Sequence, residues 1–135
     1  MKKFVLVTEM THNENGINTF HLLAFPKDKT IRSIRDLTVN HVRLLTDMTI
    51  RSKDYIYNVY SIPVNQIECH CHCPPSVMLL HIHFELVNNK KYRKPLREHA
   101  VSRIIENLLV DSDYYKKIIY IFIFNYCKFF FIIGN

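Results

Sequence analysis

The sequence predicts an α+β fold: an antiparallel sheet with two main helices packed on it. Three observations predict it. Short apolar or alternating runs, of strand length, occur near 4–7, 20–25, 66–73 and 78–87. Apolar residues recur at near-helical spacing over about 39–58 and about 96–110. The resulting order is strands, helix, two strands, helix, which suits one sheet with helices on one side. With 135 residues the chain has the size of one ordinary domain. A content of 48% hydrophobic and 22% charged residues supports a packed core and excludes wholesale disorder. Only 2 glycines and 5 prolines exclude collagen-like or linker-type sequence. There is no Trp, and 9 Phe and 8 Tyr supply the bulk.

The elements follow in order. Phe4–Val7 and Phe20–Phe25 flank the polar stretch THNENGIN and read as two strands of a hairpin. Asp36-Leu37-Thr38 offers N-cap side chains for a helix over about 39–58. Val42, Leu45, Met48 and Ile56 form its apolar face. Pro63 ends that region, Gln66–Cys73 alternates as a strand, and Pro74-Pro75-Ser76 breaks it. Met78–Val87 is the clearest strand. Met78, Leu80, Ile82, Phe84 and Leu86 fall on one face, and Leu79, His81, His83 and Glu85 on the other. Asn88–Lys94 reads as a basic loop. Leu96, Ala100, Ile104, Ile105, Leu108 and Leu109 mark the second helix, about 96–110.

Both ends carry information. The opening MKKFVLVTEM is too short in its apolar run for a signal peptide. Residues 118–135, IIYIFIFNYCKFFFIIGN, are apolar, but 118–133 contain Asn125 and Lys128 and fall short of the ~20 residues of a membrane span. A buried strand, a marginal tail anchor and a non-native end stay open; the A/T-rich codons of these residues favour the last. Four cysteines stand at 69, 71, 73 and 127. Three of them at spacing two do not make an ordinary disulfide framework, so reduced thiols in an intracellular protein are expected.

Three groups could carry chemistry. His81-Ile82-His83 places two imidazoles on one face of a strand, roughly 6–7 Å apart; they are either solvated or part of a site. In Cys69-His70-Cys71-His72-Cys73 the cysteines share one face and the histidines the other. These cysteines are either small buried hydrophobes or part of a zinc or copper site completed by His81 or His83, although structural zinc usually takes ligands at wider spacing from loops. Lys90, Lys91, Arg93, Lys94, Arg97 and Arg103 face only Glu98 between 88 and 103. They are a solvated run, or they hold the charge of a phosphate beside the imidazoles. The net charge of +6 likewise favours an anionic partner such as phosphate, nucleotide or RNA. A neutral imidazole can attack phosphorus and split one hard displacement into two easier ones, with no metal required. Sequence patterns for a serine nucleophile elbow, a P-loop or a carboxylate pair are missing.

Ser33-Ile34-Arg35-Asp36-Leu37-Thr38, His72-Cys73-Pro74-Pro75-Ser76, Leu80-His81-Ile82-His83-Phe84 and Ile105-Glu106-Asn107-Leu108 occur in that order. Together they resemble the C-terminal catalytic half of the scavenger mRNA decapping enzymes, in the histidine-triad superfamily, over roughly residues 17–117. Each motif alone is modest; four in order are specific. The resemblance implies a histidine-triad-like domain over 17–117, preceded by a truncated N-terminal segment, 1–16, and followed by a hydrophobic tail, 118–135. It puts the nucleophile on His81 and a phosphate pocket on His72, Ser76, His83 and, more loosely, Arg97. The first triad histidine is replaced by Leu79.

The activity implied is hydrolysis of residual 7-methylguanosine caps to 7-methylguanosine monophosphate through a nucleotidyl-histidine. No cofactor and no metal are expected. The partners implied are a capped dinucleotide or short capped RNA and a second copy in a homodimer, with neither DNA nor membrane, in the cytoplasm and also the nucleus. Family members carry a further N-terminal cap-binding domain, swapped across the dimer. The alternative is therefore a catalytically weak, cap- or nucleotide-binding histidine-triad remnant. A third reading is a metal protein built on the cysteines and histidines.

Overall fold

The computed structural model describes residues 3–8, 11–13, 16–88, 97–118, 120–123 and 126–129, with side chains for 3–8, 20–88 and 97–118. Lys90, Lys91, Arg93, Lys94 and Leu96 lie outside the described residues.

The expected first hairpin is present. Strand β1 (Phe4–Thr8) pairs antiparallel with β4 (His21–Pro26), from Phe4↔Pro26 to Thr8↔Leu22. Between them, β2 (Thr11–Asn13) and β3 (Gly16–Thr19) form a separate two-stranded ladder, so the polar stretch is largely extended. Strands β5 (Ile67–His72), β6 (Ile82–Leu86) and β7 (Glu98–Ala100) complete a five-stranded sheet in the order β1-β4-β6-β5-β7. The pairings that join these strands are all antiparallel.

One face of the sheet is the core. Leu22, Ala24, Cys71, Ile82 and Phe84 are fully buried there, in one cluster with Leu45, Met48 and Ile56 of helix α1 (Val42–Tyr60) and Ile104 and Leu108 of α2 (Val101–Val110). Asp36 does not cap α1. Its carboxylate accepts from Arg32 N at 2.9 Å, and a 3-10 turn, Val39–His41, leads into the helix. Thr38 N donates to His41 Nδ1 at 2.9 Å at the start of that turn. At the far end Ser61 sits in the left-handed region, φ 55°, and donates to Tyr57 O at 2.9 Å, closing the helix.

Two expectations change. The strand expected from Met78 starts at Ile82. Leu79 N bonds Val77 O at 2.8 Å and Leu80 N bonds Ile31 O at 3.0 Å, so this stretch is held in a turn, with Met78 59% exposed. The second helix starts at Val101, because Glu98–Ala100 pairs with β5 as an edge strand; Leu109 is exposed, not core. In the tail, β8 (Tyr120–Ile123) and β9 (Tyr126–Phe129) pair with each other as a separate hairpin. A short helix α3 (Tyr114–Lys117) precedes them and buries Tyr115. Among the described residues, no helix is long and apolar enough to cross a membrane.

Candidate active site

The other face of the sheet gathers the histidines. Alternation along β6 sends Ile82 and Phe84 into the core, so His83 and Glu85, and His81 just before the strand, take the opposite side. Antiparallel register then decides what they meet. His83 lies opposite Leu23 of β4 and His70 of β5; Glu85 lies opposite His21 and Glu68; His72 lies opposite Glu98 of β7. His81 and His83 are 5% and 6% exposed, which removes the solvated reading of this pair.

His81 is held in a definite state. Its Nδ1 lies 2.8 Å from Leu79 O. A carbonyl only accepts, so Nδ1 carries a proton, and in the neutral imidazole the lone pair is on Nε2. The Phe25 ring packs on the imidazole, 5.1 Å between centroids. His83 follows with its ring centroid 4.7 Å from that of His81, and His72 lies 4.0 Å from His83. His83 Nδ1 pairs with His21 Nε2 at 2.8 Å, and the His70 ring stacks parallel to His83 at 5.2 Å.

Burial, and then the neighbouring imidazoles of His72, His81, His70 and His21, push His83 down to about 2. Burial also lowers His70, against the opposing pull of Glu98. Burial, helped by Glu98, raises Glu85 to about 7. His83 and His70 are therefore held as neutral imidazoles, suited to hydrogen bonding with phosphate oxygens.

These shifts set an acid limit on stability. A histidine lowered by burial takes up its proton near 6.5 when unfolded but not when folded. Its contribution is whole above that pH and falls as pH drops, by up to about 1.4 kcal/mol per pH unit for each group. His70, His83 and the half-buried His99 all act in this direction. Glu85 opposes them, because its raised value means a contribution lost as pH rises from 4.5 to about 7. With three histidines acting against one carboxyl, the melting temperature is expected to fall between about pH 7 and pH 5, and Glu85→Gln to steepen that fall. Calorimetry across this range, with a flat profile as the contrary result, checks it.

The remaining expected residues lie on the loop between β5 and β6 and beside it. Ser76 is exposed on that loop. Arg97 clamps it: Nη2 donates to Pro74 O at 2.7 Å, and Cys73 N donates to Arg97 O at 2.9 Å. Arg97 thus touches the segment that follows His72, with part of its guanidinium committed to the backbone. Arg103 does not join the site. It pairs with Glu106 at 3.6 Å on the exposed face of α2.

A cysteine-based metal site is overturned. Cys71 and Cys73 face the core, 0% and 4% exposed, on the opposite side of the sheet from His83. Burial raises Cys71 to about 12 and Cys69 to about 11, away from the thiolate a metal needs. Cys69, Cys71 and Cys73 form no disulfide among the described residues. Two members of the histidine face were missed in the sequence: His21, 3.5 Å from Glu85, and Glu98 beside His70 and His72. Only the cross-strand register reveals them.

Comparison with known proteins agrees with this geometry. The family profile described as "Scavenger mRNA decapping enzyme C-term binding" matches residues 1–98. The chain is 29% identical to the m7GpppX diphosphatase of Rattus norvegicus over 115 residues, covering 84% of this chain and 34% of that protein. It is 29% identical to the Homo sapiens protein of the same name, with the same coverage. With the Caenorhabditis elegans m7GpppX diphosphatase it shares 30% over 118 residues, 84% of this chain and 37% of that protein. The chain spans about a third of the length of the curated relatives it matches. The match runs through β6 and the whole histidine face, and the chain belongs to the scavenger mRNA decapping enzyme C-terminal family.

Proposed function

We propose that this chain hydrolyses 7-methylguanosine cap remnants, with His81 as nucleophile. The observation that carries the reading is the 2.8 Å contact from His81 Nδ1 to Leu79 O. It fixes the tautomer whose Nε2 lone pair can attack phosphorus. In the first step Nε2 forms a bond to the phosphorus next to 7-methylguanosine. The bond from that phosphorus to the bridging oxygen breaks, and a nucleoside diphosphate or a 5′-diphosphate oligonucleotide leaves. In the second step water attacks the same phosphorus, the P–N bond breaks, and 7-methylguanosine monophosphate is released. The electron pair of the P–N bond returns to Nε2, and the proton that water gives up passes to solvent.

Buried His83 and half-buried His72, adjacent to each other, hold phosphate oxygens by hydrogen bonds. Ser76 contributes from the loop that Arg97 clamps. Capped dinucleotides and short capped RNAs are the substrates this assigns, and the chain acts as a homodimer. Rapid acid-free quench of the protein mixed with a cap dinucleotide, followed by peptide mass spectrometry, tests the intermediate. A 7-methylguanylyl adduct on the peptide containing His81 is expected. Turnover with no adduct in the His81 peptide at any quench time would count against it.

One observation favours a second reading. Leu79 stands where the family places its first triad histidine. Its backbone carbonyl still orients His81, but its side chain offers no proton. On this reading the domain holds a cap or nucleotide without turning it over. Tight binding of 7-methylguanosine monophosphate with no cleavage of the dinucleotide would select it.

A further inference from the structure

His70 is not needed for the cap chemistry above, yet it completes a tight cluster of donors. His70 and His72 on β5 and His83 on β6 each offer a ring nitrogen, and these three atoms lie within 4.8 Å of one another. Glu98 on β7 brings Oε1 to 3.8 Å from His70 Nε2 and 4.0 Å from His72 Nε2. His83 Nδ1 is engaged by His21 at 2.8 Å, which leaves its Nε2. Nε2 of His70 and Nε2 of His83 are both buried and make no hydrogen bond. Buried ring nitrogens are normally satisfied by protein, water or an ion.

We propose that His70, His72, His83 and Glu98 form a binding site for a divalent transition-metal ion of the zinc class. Three imidazoles and one carboxylate are a donor set that zinc takes in four-coordinate geometry. Zinc–ligand bonds of about 2.0–2.1 Å place tetrahedral donors roughly 3.3 Å apart. The three histidine donors, now within 4.8 Å of one another, need to close by no more than roughly 1.5 Å, which small χ rotations supply. The strand ladders already place the four residues on one face, with His70 opposite His83 and His72 opposite Glu98. The cysteines of the same strand take no part, because they face the core. An ion bound here takes the lone pairs of His72 and His83. Occupancy and phosphate binding then exclude each other, a consequence that rests on the cap reading above.

The test uses the full chain, stripped of metal, titrated with Zn2+ by calorimetry and with Co2+ by visible absorption. One ion per chain is expected, with the d–d bands of a four-coordinate Co2+ site. His70→Phe keeps the ring packing and should weaken affinity at least about tenfold, since a ligand is lost. Cys69→Ala should leave affinity unchanged. NMR of the Co2+-loaded wild-type chain needs no variant and should show shifted exchangeable imidazole N–H signals from three histidines. Substoichiometric binding, undiminished affinity in a folded His70→Phe protein, or fewer than three such signals would overturn the site. Metal binding by a chain that, once stripped of metal, cleaves no cap would leave the site standing and sink the cap reading; cleavage by a chain that binds no metal would do the reverse.

Discussion

His81→Ala is expected to abolish cap cleavage, lowering the single-turnover rate by about four orders of magnitude or more, because removing a nucleophile removes the covalent route entirely. Two features of the structure place the effect on this residue and not on its neighbours. Its Nδ1 is held by Leu79 O at 2.8 Å, so the other nitrogen has its lone pair available. His83 Nδ1, by contrast, is paired with His21 at 2.8 Å, and burial holds His83 neutral. His83→Ala and His72→Ala are therefore expected to lower the rate by a smaller factor, on the order of 10²–10³, as hydrogen-bond donors or acceptors to phosphate are lost. Rapid-quench assays of all three variants, with folding checked by circular dichroism, order the residues. Cleavage by His81→Ala at the wild-type rate would remove it from the chemistry.

The second large effect concerns the scaffold under the site. Phe84 is fully buried on β6, between His83 and Glu85 in sequence and opposite Leu22 and Cys69 in the ladder. Phe84→Ala removes a ring from the centre of the sheet's core face. It should cost about 3–5 kcal/mol, from lost transfer energy and the cavity left behind. Leu109→Ala, at a residue 64% exposed on α2, should change stability by no more than about 0.5 kcal/mol. Urea denaturation of both variants measures the contrast. Equal losses at the two positions would contradict the assignment of the core face.

Much of this was legible in the sequence, for a physical reason. Alternation at period two separates faces without any knowledge of partners. It put Cys71 and Cys73 on one side, His70 and His72 on the other, and His81 and His83 opposite Ile82 and Phe84. The structure shows the same division. The four ordered motifs reached the family, and the profile match over residues 1–98 agrees.

What was not legible depends on tertiary pairing. His21 meets His83 across 62 residues of sequence, and nothing local in the first hairpin marks it. Glu98 was visible as a lone acid among basic residues. Its place beside His70 and His72 follows from an edge strand only three residues long, inside a stretch whose apolar spacing reads as helix. Alternation likewise ran on past its physical end at Met78–His81, where backbone bonds to Val77 and Ile31 hold a turn. Periodicity reports which residues could share a face. It does not report where the ladder stops.

The most direct test of the central claim is single-turnover cleavage of a 7-methylguanosine cap dinucleotide by this chain in ¹⁸O-labelled water. Attack by His81 on the phosphorus next to 7-methylguanosine requires that water enter at that phosphorus. The expected result is ¹⁸O in the released 7-methylguanosine monophosphate and none in the nucleoside diphosphate. Label in the nucleoside diphosphate, or folded protein that releases no 7-methylguanosine monophosphate, would contradict the account.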